Sequence, residues 1–174
     1  MRRISRLLNH PVQVRSEVGK GSTFSVLVPL ANDASELIEL PPPEMVSNAS
    51  VDQINALIVE NEPDVLEGMA NLLGTWGCRF VAAPDQESAL AALSRSGMRP
   101  DIVLVDYHLD NNVVGTDVIA ALRRHLGVAI PAVVITADRS AEIQHIVQET
   151  PGATLLIKPI KPARLRALVA SVRR

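Results

Sequence analysis

The fold is decided by the segment Asp101-Ile-Val-Leu-Val-Asp-Tyr-His-Leu-Asp110. Its apolar centre, Ile102 to Val105, is rich in β-branched residues, follows Pro100 and ends abruptly in an acid. This run is too short for a helix, and its continuous hydrophobicity is typical of a parallel strand buried on both faces. Ligands of open α/β sheets bind beyond the carboxyl ends of the strands. Asp106 therefore lies where chemistry is expected, although an acid at this position can also simply cap the next element.

The same apolar pattern recurs through the second half of the chain, where it alternates with amphipathic segments. The predicted strands are 56–59, 79–83, 102–105, 132–136 and 154–157, and the predicted helices are 63–73, 86–96, 115–125, 140–149 and 162–172. This alternation predicts a doubly wound α/β fold, a parallel sheet with helices on both faces and right-handed crossovers. If the strand order is 2-1-3-4-5, the carboxyl ends of the first, third, fourth and fifth strands lie along one edge.

The composition is that of a globular protein. A chain of 174 residues allows one ordinary domain, or one domain plus a fragment. The hydrophobic fraction is 47% and the aromatic fraction only 2%, so the core must consist of Val, Leu, Ile and Ala. The net charge of −2 argues against binding nucleic acid, and Cys78, the only cysteine, excludes a disulfide framework. No apolar run approaches the ~20 residues that span a bilayer. We therefore expect a cytoplasmic chain without direct membrane contact, and leave a membrane-tethered parent protein open.

Polar residues lie at the carboxyl ends of four of the five predicted strands: Glu60-Asn61, Asp106, Thr136 and Lys158-Pro159. Carboxylates, a hydroxyl and an amine at one sheet edge suit a small, highly charged phosphoryl group together with a hard cation, which prefers oxygen ligands.

These residues, in this order, resemble a response-regulator receiver domain from about Asn55 to Arg174. The acid-containing pair after the first strand, the Asp after the third, the Ile-Thr-Ala turn and the Lys-Pro dipeptide carry the resemblance. It implies a flavodoxin-like (CheY-like) doubly wound five-stranded parallel sheet, order 2-1-3-4-5, with five helices. Asp106 would be the phosphoacceptor, taking a phosphoryl group from a phosphohistidine.

The resemblance also implies the rest of the site. Mg²⁺ would be held by Glu60, Asn61, Asp106 and the main-chain carbonyl of His108. Lys158 and the Thr136 hydroxyl would contact the phosphoryl oxygens, and the main-chain amides of Tyr107 and Ala137 would complete the cradle. The Lys158-Pro159 bond is a candidate cis peptide, because X-Pro bonds are where the cis form is readily adopted.

Three features depart from the family pattern. Asn61 replaces the commoner second Asp, which predicts weaker Mg²⁺ binding unless Glu62 compensates. Leu155 occupies the usual place of a switch aromatic, which puts an aromatic–Thr switch in doubt. The loop from His108 to Gly115 is longer than usual and lacks the customary Met-Pro.

The first thirty residues resemble the carboxyl-terminal end of a histidine-kinase ATP-binding domain. A helix remnant near Ile4 to Leu8 precedes strands predicted at 12–18 and 24–30, which are joined by a Gly-Lys-Gly-Ser-Thr turn. The residues that match the family's last turn are Gly19, Gly21, Ser22, Thr23 and Phe24. The motifs that bind ATP lie before this point in the family, so we expect no kinase activity. The predicted organisation is a kinase remnant over 1–30, a Pro-rich linker over 31–53 and a receiver domain over 54–174.

The whole chain thus resembles the end of a hybrid sensor histidine kinase. The leading interpretation is a phosphoacceptor in a phosphorelay, which catalyses only its own aspartyl phosphorylation. Its expected partners are the phosphohistidine domain of a kinase or a histidine phosphotransfer protein, with no nucleic acid and with dimerisation possible. The alternative is a degenerate receiver that binds proteins independently of phosphorylation, which Asn61 and Leu155 favour slightly. A third interpretation is that the parent protein is classed as a histidine kinase, whereas this chain itself has no kinase activity.

Overall fold

The structure is a computed structural model that describes residues 11–17, 19, 21–28 and 51–172. The chain divides into two compact units, 1–44 and 45–174. The predicted helix near Ile4 to Leu8 and most of the predicted linker lie outside the described residues. A search of the described residues finds no helix with the length and apolarity that a membrane crossing requires.

The first unit contains an antiparallel hairpin. Strand β1 is Val12–Glu17 and strand β2 is Gly21–Val26. Val12 lies opposite Val26 and Val14 opposite Phe24, so one face of the hairpin is apolar. The predicted hairpin is confirmed, but its second strand begins at Gly21 rather than Phe24, because the pairing continues into the predicted turn as far as Glu17 opposite Gly21.

The second unit is a five-stranded parallel sheet with five helices. Its strands are β3 (Asn55–Val59), β4 (Arg79–Ala83), β5 (Ile102–Asp106), β6 (Ala132–Thr136) and β7 (Ala153–Ile157). Its helices are α1 (Pro63–Thr75), α2 (Gln86–Ser96), α3 (Gly115–Leu126), α4 (Ala141–Glu149) and α5 (Pro162–Ala170). The sheet order is β4-β3-β5-β6-β7. This is the predicted order 2-1-3-4-5, so the predicted doubly wound fold is confirmed.

Local signals in the sequence set the ends of the helices. Pro63 occupies the first turn of α1, where its missing N–H costs nothing. The Asp85 side chain accepts a hydrogen bond from the Ser88 amide and caps α2, which ends at Gly97 in the left-handed conformation, φ 63°. Ser140 caps α4 in the same way, because its side chain accepts a hydrogen bond from the Ile143 amide. The helix therefore begins at Ala141, one residue later than the predicted start at Ser140.

The core lies on both faces of the sheet. Alternate residues such as Leu57 and Val105 face one way and pack with α2, α3 and α4. Ile58 and Leu104 face the other way and pack with α1 and α5. Val51, which the predicted boundaries assign to the linker, is fully buried in this second cluster. The globular unit therefore begins earlier than residue 54.

Candidate functional site

The polar residues predicted at the strand ends converge on one edge of the sheet. Glu60 directly follows β3, Asp106 ends β5, Thr136 ends β6 and Lys158 directly follows β7. These four strands are consecutive neighbours, so the parallel topology brings their carboxyl ends together. Glu60 is 1% exposed, Asp106 6% and Thr136 1%, whereas the sheet residues before them are apolar. These three buried polar side chains, each preceded by apolar strand residues, form the candidate site.

Lys158 joins the two buried carboxylates. Its Nζ lies 2.6 Å from Asp106 Oδ1 and 3.0 Å from Glu60 Oε2. Burial by itself lowers the pKa of the Lys158 ammonium, but the hydrogen bonds and charges of Asp106 and Glu60 outweigh it, so the pKa is raised. Lys158 therefore remains a cation at neutral pH. The formal charges of the two carboxylates and the ammonium sum to −1, so an additional cation would be attracted to this site.

The two oxygens of Asp106 differ in their surroundings. Oδ2 accepts a hydrogen bond of 3.0 Å from the main-chain amide of His108. Oδ1 is buried and has the ion pair with Lys158 but no partner in good hydrogen-bond geometry. A carboxylate oxygen can accept more than one such bond, so Oδ1 retains capacity for an incoming electrophile or cation.

Thr136 is linked to Lys158 through the backbone, because the Lys158 amide donates to the Thr136 carbonyl at 2.7 Å. The Thr136 hydroxyl accepts a hydrogen bond of 3.1 Å from the amide of Asp138. A hydroxyl that accepts one bond still has its own hydrogen to donate. Ala137, the next residue in this loop, is exposed. The Lys158-Pro159 bond is cis, as predicted.

The amide of Tyr107 does not lie free at the site. It donates to the Ile135 carbonyl at 2.8 Å and so continues the pairing between β5 and β6. The prediction that this amide faces a phosphoryl group is therefore wrong for this conformation. The donor at the Asp106 carboxylate is the next amide, that of His108. Sequence reasoning missed it because it cannot tell which amide at a strand's end leaves the ladder.

The Asn61 side chain lies toward the loop after β5. Its Nδ2 donates a hydrogen bond of 2.8 Å to Asp110 Oδ1. Glu60 is held differently, since its Oε1 accepts from the main-chain amide of Glu62 at 3.2 Å. Asp110 is the residue that sequence reasoning missed here. The sequence signal that could have identified Asp110 is that it is an additional acid in the long loop from His108 to Gly115.

Gly115 also belongs to the site, although the sequence did not single it out. Its amide donates to the Tyr107 carbonyl at 2.9 Å. A Cβ atom at this position would overlap the main-chain carbonyl oxygen of Asp106. Only glycine therefore allows the start of α3 to pack directly against the strand end that carries the phosphoacceptor candidate.

The donor set fits a hard cation with few protein ligands. Within residues 11–17, 19, 21–28 and 51–172, no three His, Cys, Asp or Glu side chains cluster as a metal site. Glu60 and Asp106 nevertheless provide two buried carboxylates, and the described contact of Asp106 Oδ1 is the ion pair with Lys158. Mg²⁺ typically takes one or two carboxylates and completes its shell with water and phosphate oxygens. These residues could hold Mg²⁺ on that pattern.

Comparison with known proteins gives one family. The family model for the response regulator receiver domain matches residues 56–170. The sensory transduction protein RegX3 of Mycolicibacterium smegmatis is 38% identical over 119 residues, which are 68% of this chain and 49% of that protein. The sensor histidine kinase AruS of Pseudomonas aeruginosa is 30% identical over 174 residues, 98% of this chain and 16% of that protein. The chain thus spans about half the length of the first of these relatives, and much less of the second.

Solved structures share the fold. A response regulator from Chloroflexus aurantiacus, described as putative, superposes with a TM-score of 0.61 at 24% identity, covering 70% of this chain and 98% of that chain. The chemotaxis protein CheY4 of Vibrio cholerae superposes with a TM-score of 0.59 at 21% identity, covering 67% and 96%. At these identities the likeness supports the fold alone.

Proposed function

This chain belongs to the response regulator receiver family of two-component signalling, and from that premise we propose that Asp106 is the residue that accepts the phosphoryl group. The observation that carries the proposal is the Asp106 carboxylate itself. It is 6% exposed, it ends the central strand β5, and it is held by the Lys158 ammonium and the His108 amide. A buried carboxylate that is oriented on both sides is suited to act as a nucleophile.

In the proposed reaction, an Asp106 oxygen attacks the phosphorus of a phosphohistidine. A bond forms between that oxygen and phosphorus while the phosphorus–nitrogen bond of the donor breaks, and the imidazole leaves. Lys158 contacts Asp106 Oδ1 in the free protein. During transfer its ammonium contacts a phosphoryl oxygen and stabilises the negative charge there. Thr136 donates its hydroxyl hydrogen to another phosphoryl oxygen. The His108 amide, which donates to Asp106 Oδ2 in the free protein, turns to the phosphoryl group and completes the cradle together with the Ala137 amide.

We propose that the site works with Mg²⁺. Glu60 and Asp106 would supply carboxylate oxygens, and Asn61 and the His108 carbonyl would supply neutral oxygens. The ion, when bound, reduces the repulsion between the carboxylates and the incoming phosphoryl oxygens. The support for this proposal is the pair of buried carboxylates with a single ammonium between them, an arrangement that is one positive charge short of neutrality.

We further propose that the parent protein is a hybrid sensor histidine kinase. The alignment with the sensor histidine kinase AruS covers 98% of this chain and so includes the N-terminal hairpin. On one face of that hairpin, the side chains of Val14, Phe24 and Val26 are 55% to 61% exposed. An exposed apolar face of this kind is typical of a surface that packs against another part of a larger domain. The phosphoryl donor or acceptor would then be the kinase's phosphohistidine domain or a histidine phosphotransfer protein.

The test is phosphorylation of the purified chain by acetyl phosphate, with Mg²⁺ or with EDTA, followed by intact-mass spectrometry. We expect one phosphoryl group in the wild type with Mg²⁺ and none in Asp106→Asn. Asp64→Asn, which removes an exposed acid from the first turn of α1, is the matched control and should incorporate as the wild type does. Absence of incorporation in the folded wild type at millimolar Mg²⁺ would instead favour a degenerate receiver that binds its partners without phosphate.

A further inference from the structure

The hydrogen bond between Asn61 and Asp110 links two loops of the site. Asn61 lies in the loop after β3 and Asp110 in the loop after β5, and Asn61 Nδ2 is 2.8 Å from Asp110 Oδ1. The two residues are 49 positions apart in sequence, so only the tertiary fold brings them together. The contact places a carboxylate directly beside the position where the family usually has a second acid.

The chemistry of the pair fixes the orientation of the Asn61 amide. An ionised carboxylate only accepts hydrogen bonds, so the group that faces Asp110 must be the NH₂ and not the carbonyl oxygen. Asn61 Oδ1, on the other side of the planar amide, is thereby kept as an acceptor. An amide oxygen is a suitable ligand for Mg²⁺, whereas an amide nitrogen is not. The hydrogen bond to Asp110 therefore occupies the NH₂ end of the Asn61 amide and leaves its carbonyl oxygen available as a ligand.

The loop that carries Asp110 has internal structure of its own. His108 and Val114 form an antiparallel bridge, and the Leu109 amide donates to the Val113 carbonyl at 3.0 Å. Leu109 is only 8% exposed and packs in the core. Asn111 and Asn112 turn the chain with positive φ angles of 59° and 58°, a conformation that Asn adopts more readily than most residues. Asp110 is consequently held in position, because it lies in the turn closed by the Leu109–Val113 hydrogen bond and directly follows the buried Leu109.

We propose that Asp110 is a positioning residue of the cation site, which orients the Asn61 carbonyl oxygen and returns to the site the negative charge that Asn61 lacks. This inference rests on the proposed function, because it concerns the same Mg²⁺ site. It assigns to the unusually long loop a specific part in the site. Asp110 would thus take the compensating role that the sequence left open for Glu62, whose side chain is exposed and whose main-chain amide donates to Glu60.

A simple structural tie between two exposed loops is the competing explanation. It predicts that removing the contact changes stability without changing cation affinity beyond the general effect of one lost surface charge. The positioning role predicts a specific loss of affinity. Substitution of an outer partner that orients a metal ligand commonly weakens metal binding ~10- to 100-fold, and because Asp110 is exposed we expect the lower end, about tenfold.

The experiment is isothermal titration calorimetry of Mg²⁺ into the whole, unphosphorylated chain. Asp110→Ala removes both the hydrogen bond and the charge and should weaken binding about tenfold. Asp110→Asn keeps an acceptor for Asn61 but removes the charge, and should fall between Asp110→Ala and the wild type. Asp117→Asn removes an exposed acid from the first turn of α3 and is the control for net charge; it should change the affinity less than about twofold.

A second variant and a second readout separate orientation from general charge. Combining Asn61→Asp with Asp110→Asn exchanges the two side chains, keeps the net charge and the possibility of their hydrogen bond, and should bind Mg²⁺ at least as tightly as the wild type. In NMR spectra, the side-chain NH₂ signals of Asn61 should shift in Asp110→Ala without Mg²⁺, because their acceptor is lost.

The outcomes are distinguishable. Wild-type chain that binds no Mg²⁺ would refute the proposed function itself. Wild-type chain that binds Mg²⁺, with Asp110→Ala and Asp117→Asn changing its affinity equally, would overturn the positioning role while leaving the proposed function in place. Unchanged Asn61 signals in Asp110→Ala would overturn it as well.

Discussion

Replacing Lys158 by Met tests whether the ammonium is the group that holds the two buried carboxylates together. Lys158 contacts Glu60 and Asp106, whose side chains are 2% and 8% exposed, while its own is 27% exposed. Breaking a buried ion pair from one side typically costs ~3–5 kcal/mol, because it leaves an uncompensated buried charge. The partial exposure of Lys158 lets water reach the site, so we expect the loss of unfolding free energy to be about 2–3 kcal/mol.

Magnesium should restore part of that loss. The Lys158→Met site has two facing carboxylates and no competing cation, so it should bind Mg²⁺ more tightly than the wild type does. A ligand that binds only the folded state stabilises it by RT ln(1 + [L]/Kd). A tenfold difference in affinity would therefore give the variant about 1.4 kcal/mol more stabilisation than the wild type at saturating Mg²⁺.

The assay is urea unfolding followed by circular dichroism, with and without Mg²⁺, for the wild type, Lys158→Met and Lys161→Met. Lys161 is exposed and lies just before α5, so its substitution controls for loss of a lysine near the same loop. The reasoning would be refuted if Lys158→Met and Lys161→Met lost the same stability, or if Mg²⁺ stabilised Lys158→Met no more than the wild type.

Two further predictions concern packing and pH. Gly115→Ala should cost ~1–3 kcal/mol of unfolding free energy, because its Cβ would overlap the main-chain oxygen of Asp106. Gly68→Ala is the control, since Gly68 lies in a helix with nothing within 4 Å of its added Cβ, and it should be neutral or stabilising. Urea unfolding of both variants measures the difference. Because the pKa of Lys158 is raised above its ordinary value of 10.5, its contribution to stability should be complete below about pH 10.5 and disappear as the pH rises further. The gap between the urea midpoints of wild type and Lys158→Met should therefore narrow above that pH, and a gap that widened there would contradict the sign of this linkage.

The sequence was sufficient for the elements of the second unit because their signals are local. The β-branched run at 102–105 and the corresponding runs elsewhere fixed the strands, and β4, β6 and α2 have the predicted bounds without change. Caps and turns such as Asp85 and Gly97 fixed the helix ends. The positions of Asp106, Thr136 and Lys158 at adjacent strand ends followed once the strand order was assumed, since a parallel sheet aligns those ends.

Tertiary structure decided what depends on contacts between distant segments. The sequence gives no indication that the Tyr107 amide remains in the sheet while the His108 amide reaches the Asp106 carboxylate, because that depends on where the pairing with Ile135 stops. The pairing of Asn61 with Asp110 and the contact of Gly115 with the Asp106 backbone are likewise set by how two loops meet. Local propensity determines strands and helices along the chain, whereas hydrogen-bond partners at a site are determined by geometry that only the packed sheet provides.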